Sequence, residues 1–112
     1  MAIQFIGAGT LLQATSMVAG ETIGAEFADA KSATGTVITC SVVGTSGVLK
    51  VYKIMRGTGN VVELTSEICT DGLSTPLVEE FDYPIGHGKV GFLPDTHGDV
   101  TSIEIEFRSK GR

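Results

Sequence analysis

Gly47-Val-Leu-Lys-Val-Tyr-Lys-Ile-Met-Arg-Gly57-Thr-Gly59-Asn-Val-Val-Glu-Leu-Thr-Ser-Glu-Ile-Cys69 places two β-branched runs on either side of a Gly-Thr-Gly-Asn turn. That is a hairpin signature, because branched side chains fit a pleated surface and glycine and asparagine tolerate the backbone angles of a tight turn. Side chains alternate along a strand, so Leu49 and Val51 share an inward face with Lys50 and Tyr52 outward. By the same alternation Val62, Leu64 and Ile68 share one face of the second run, and Glu63, Thr65, Glu67 and Cys69 the other. The stretch carries no catalytic chemistry and reads as a surface-presenting sheet.

Outward from the hairpin the same pattern recurs. Strands are expected over residues 2–6, 10–18, 22–28, 35–43, 48–56, 60–69, 76–82, 88–93 and 100–108. Turns are expected at Gly7-Ala-Gly9, Ala19–Glu21, Gly44–Gly47, Gly57–Asn60, Thr70–Ser74, Tyr83–Gly88 and Pro94–Asp99. Ala25–Ala33 is the best helix candidate and reads equally well as an edge strand and loop. The spacing predicts an all-β, antiparallel β-sandwich, jelly-roll-like, of about eight strands. Ile38, Cys40 and Val42 face inward, as do Ile103, Ile105 and Phe107, and Phe81 and Phe92 are further core candidates.

The 112 residues fit one β-sandwich domain over 1–112, with an N-terminal arm over 1–18 and a short, basic, frayed tail over 108–112. The net charge of −5 argues against nucleic acid, which needs clustered Lys and Arg, and against anionic membranes. No segment approaches the roughly 20 apolar residues of a membrane helix. The N-terminus lacks the positive region of a signal peptide, which predicts a protein kept in the cytoplasm or assembled there into something larger. Charge is uneven: residues 1–49 hold only Glu21, Glu26, Asp29 and Lys31, and residues 1–20 and 32–49 hold none. Either these neutral strands lie on the less exposed sheet, or another subunit covers part of them, since interface cores are depleted in charge.

Constellations for chemistry are weak. Strand alternation puts Cys40 inward and Cys69 outward at a strand end, which disfavours a disulfide because its Cβ atoms must face each other. Cys-x-x-Cys is absent, and His87 and His97 have no metal-ligand spacing. Asp95, Gly98 and Asp99 could hold calcium in the 94–99 loop, but the same residues serve any tight turn. Of Glu79, Glu80 and Asp82, only the last two share a strand face, which fits a solvated edge better than a glycosidase pair. No Gly-x-Ser-x-Gly elbow and no phosphate-binding fingerprint occur. No catalytic residue, metal or cofactor is expected.

Some of these residues resemble a family. Gly47-Val-Leu49-Lys-Val51, Gly57-Thr-Gly-Asn60, Pro84-Ile85, Lys89-Val90-Gly-Phe92 and Thr101-Ser-Ile103-Glu-Ile105 are similar to the successive strands and turns of phage structural jelly-roll domains. Ala19–Phe27 and Ser32–Thr39 are similar to the strands that lead into them. The chain departs from the family at Met55-Arg56-Gly57 and Val61, where the family often has Ser-x-Asp-Gly and an aromatic residue. The resemblance covers about residues 10–108. It implies a non-enzymatic virion structural protein, a capsid decoration, cement or fibre-base type, assembled in the host cytoplasm. Its partners would be the major capsid or another virion protein and further copies of itself. The charge-free segments then supply the contacts, with Ile3, Phe5, Leu11, Leu12 and Met17 as candidate interface residues. The alternative is a carbohydrate-binding, lectin-like sandwich, which the absence of Trp and the presence of only Tyr52 and Tyr83 as outward aromatics argue against.

Overall fold

In the computed structural model the described residues are 7–14, 23–30, 32–44, 46–95 and 102–111. They form eight strands: β1 (Gly7–Ala14), β2 (Ile23–Ala28), β3 (Gly35–Val43), β4 (Gly47–Ile54), β5 (Val61–Cys69), β6 (Gly72–Phe81), β7 (His87–Pro94) and β8 (Ser102–Lys110). Two four-stranded antiparallel sheets result, in the orders β1-β8-β3-β6 and β2-β7-β4-β5. The pairs β1–β8, β2–β7, β3–β6 and β4–β5 are nested around one hairpin. A ribbon folded back at the β4–β5 turn and rolled over on itself gives this order, which is the jelly roll. The molecule is 19 Å in its thinnest direction, as expected for two sheets about 10 Å apart with side chains outside them.

The inward faces meet in one apolar layer. Leu49, Val51, Val90 and Phe92 come from one sheet, and Ile38, Cys40, Val42, Ile103 and Ile105 from the other, all with no exposed surface. These include every inward residue read from β3 and the first half of β4. Phe27 and Phe107 close one side, their ring centroids 5.2 Å apart.

Several expectations need correction. The proposed turn at Gly7-Ala-Gly9 is the start of β1, held in register with Ser109, Arg108 and Phe107. Ala25 to Ala28 are strand, paired with Val90 to His87, so the edge-strand reading of that stretch holds and the helix does not. The turn at 70–74 is shorter than expected, because β6 begins at Gly72. The tail is not frayed through its length: Arg108, Ser109 and Lys110 complete β8 against β3, and Ser109 is fully buried. The expected arm over 1–18 includes β1, which is part of a sheet; residues 1–6 and 15–18, with the 2–6 strand, lie outside the described residues.

The largest error is in β5. A β-bulge shifts the β4–β5 register, so that Val51 lies opposite Thr65 and Tyr52 opposite Glu63. One extra residue reverses the facing of everything beyond it. Leu64 still packs against the core, but Ile68 turns out to 71% exposure and Cys69 turns in to 2%. Val62, before the bulge, is 45% exposed on β5, an edge strand with β4 on one side and, among the described residues, no strand on the other.

Candidate functional site

The two sheets end in four edge strands, β1, β6, β2 and β5. An unpaired edge invites another strand, and proteins guard such edges with charge, Pro or bulges. β2 carries Glu26, β5 carries Glu63 and Glu67, and β6 carries Pro76, Glu79 and Glu80. On β6, burial and the charge of Glu67 both raise the pKa of Glu79, the burial more. β1 is Gly-Ala-Gly-Thr-Leu-Leu-Gln-Ala, with neither charge nor Pro, and its one irregularity is a register shift at Leu11. Among the described residues β1 pairs with β8 on one side and with no strand on the other.

Leu11 and Leu12, two of the five candidate interface residues, therefore lie on the uncharged edge strand, Leu12 opposite Ile105. Ile3, Phe5 and Met17 lie outside the described residues, as do His97 and Asp99 of the suggested calcium loop. Among the described residues no group of three or more His, Cys, Asp or Glu side chains could hold a metal ion. Nor, among them, is any helix long and apolar enough to cross a membrane.

Several of the titratable groups make structural contacts. Glu80 and Asp82 both point to Lys110, at 2.7 and 3.6 Å, consistent with the shared face read from the sequence. The hydrogen bond from Lys110 holds the Glu80 carboxyl below its ordinary range. His87 and Glu26 pair at 2.7 Å on the open surface. Lys53 donates to the Ile85 carbonyl across 2.6 Å. Tyr83 is half-exposed, with its ring edge-on to Phe81 at 5.8 Å, and Tyr52 is half-buried. A shallow groove of about 300 Å³ between Gly47, Val48, Ile68, Leu93 and Pro94 has Asp95 as its one ionisable lining residue.

The densest polar cluster escaped the sequence reading. Asp29, just past β2, accepts hydrogen bonds from Ser109 Oγ at 2.6 Å, from the Ile85 amide at 2.8 Å and from Thr36 Oγ1. The Gly86 amide adds a longer one at 3.3 Å, and the Asp29 amide returns a bond to the Gly86 carbonyl. Thr36 and Ser109 are fully buried, so this carboxylate satisfies groups from β3, β8 and the 82–86 loop at once. The residues are 80 positions apart at the extremes, and no local pattern links them. The cluster binds the end of the sandwich together.

No family model matches the chain. No curated protein matches it either. Among solved structures, the chain is similar to one from Bacillus endospore appendages, described as a novel family of disulfide-linked pili. The two share 18% identity over all of this chain and 98% of that one, with a TM-score of 0.41. A likeness of that degree does not carry a function from one chain to the other.

Proposed function

We propose that this protein is a non-enzymatic structural subunit that joins a larger assembly through the uncharged edge of β1 and the uncharged residues around it. The observation that carries this reading is the contrast among the four edges. Three are guarded by acidic side chains, and β1, within a 20-residue stretch without charge, is not. Uncharged backbone edges are the surfaces on which strands of separate chains pair. The polar clusters support the same reading, because they hold elements together, and Thr36 and Ser109, whose hydroxyls meet the Asp29 carboxylate, are fully buried. A virion shell is the assembly we propose, with the chain as a decoration or accessory protein; the support is the motif resemblance and a fold common among capsid domains.

Oligomeric state tests the proposal. Light scattering coupled to size exclusion should show the wild-type chain as a concentration-dependent oligomer. Thr10→Lys and Leu11→Lys together should shift it to monomer with unchanged circular dichroism. A wild-type chain that stays monomeric at high concentration and does not co-sediment with shells would sink the reading.

A further inference from the structure

Cys40 and Cys69 belong to different sheets and meet inside the sandwich. The β5 bulge turns Cys69 inward, where its Sγ donates to the Cys40 carbonyl across 3.6 Å. Cys40 lies opposite Leu77 in the β3–β6 pairing, and the Leu77 backbone also hydrogen-bonds the Cys69 sulfur. The two side chains hydrogen-bond each other, and both thiols are free. Cys69 is the last residue of an edge strand, followed by exposed Thr70 and Asp71, so a small oxidant needs only a local opening of the strand end to reach it. The sulfurs differ in character. The hydrogen bond from Cys40 draws Cys69 down to about 7 against the opposing effect of burial, while the same contact and burial push Cys40 far up. Cys69, whose proton rests on the Cys40 carbonyl, is thus the thiol that ionises first, while Cys40 keeps its proton.

We propose that Cys40 and Cys69 are a hydroperoxide-responsive thiol pair that closes into a disulfide joining the two sheets. The Cys69 thiolate attacks the peroxide, so that an S–O bond forms and the O–O bond breaks. The departing hydroxide takes up the proton that Cys69 had released and leaves as water. The Cys40 sulfur then attacks the sulfenic acid, an S–S bond forms, and the displaced hydroxide leaves as water with the Cys40 proton. Two thiols are oxidised and one peroxide is reduced to two waters. The bond ties edge strand β5 to interior strand β3 and closes the chain between them into a loop.

The test uses the full chain and hydrogen peroxide. After treatment, the denatured protein should show no titratable thiol, and the intact monomer should have lost two hydrogen atoms. Trypsin cuts at Lys50, Lys53 and Arg56, so a digest separates the two cysteines unless a disulfide holds their peptides together. The melting temperature should rise by on the order of 10 °C and fall back on adding dithiothreitol. Cys69→Ala should show no such rise, and if it fails to fold, the wild-type mass and digest decide alone. Retained thiols, sulfinic acid on either cysteine, or disulfide-linked dimers would each overturn the proposal.

Discussion

Asp29 shows how much one side chain can organise. Its carboxylate is the acceptor for two buried hydroxyls and two backbone amides drawn from three parts of the chain. Removing a charged acceptor leaves those donors dry and unpaired, and hydrogen bonds to charged groups are worth about 1.5–3 kcal/mol each. Asp29→Ala should therefore cost about 3 kcal/mol or more in urea unfolding, and Asp29→Asn, which keeps one acceptor oxygen, clearly less. Equal losses for both variants would mean that packing rather than acceptor capacity matters there. Glycines make a second comparison at this scale. A Cβ on Gly47 would sit 2.5 Å from the Leu93 carbonyl and closer still to the Phe92 ring, whereas one on Gly57 would meet nothing within 4 Å. Gly47→Ala should destabilise by about 1–3 kcal/mol through overpacking, while Gly57→Ala should be neutral or slightly stabilising. Paired denaturation curves with unchanged slopes check both.

Among the elements, β5 separates what alternation reveals from what it conceals. β3 and β8 lie inside their sheet with neighbours on both sides, and their inward residues follow period two from end to end. The fold class, the hairpin and most of the core were therefore readable from residue order alone. The bulge in β5 was not, because one extra residue leaves no compositional trace and reverses all that follows. Cys69 and Ile68 exchanged faces for that reason, and the cysteine pair stayed hidden with them. The Asp29 cluster was illegible on other grounds, since its members are distant in sequence and individually ordinary for loops and strand ends. Of the candidate interface, the missing charge was visible, but the position of β1 at an edge emerges only from the pairing order. A consequence can be measured. Ile68→Thr should change stability by no more than about 0.5 kcal/mol, as surface substitutions do, while Ile105→Ala should cost about 2–5 kcal/mol. A loss above 1 kcal/mol at Ile68 would contradict its outward facing.

For the molecule as a whole, the nested pairing sets an order of assembly. Only the β4–β5 hairpin joins strands that are close in sequence, with Met55 and Asn60 closing its turn and Gly59 at φ 76°. Each further pair, β3–β6, β2–β7 and then β1–β8, closes a longer loop than the last. Loop closure costs entropy before contact repays it, so topologies of this kind fold in milliseconds to seconds, and the hairpin is the cheapest place to begin. We predict that the transition state contains the hairpin and its immediate neighbours, with β1 and β8 joining later. Gly59→Ala strains a left-handed turn position and should mainly slow folding, giving a φ-value above about 0.5. Ile103→Val, in the strand that β1 pairs with, should mainly speed unfolding, with a φ-value below about 0.3. Stopped-flow chevrons on the two variants decide between this order and its reverse. A high value at Ile103 with a low one at Gly59 would show that the ends of the ribbon meet before its tip has formed.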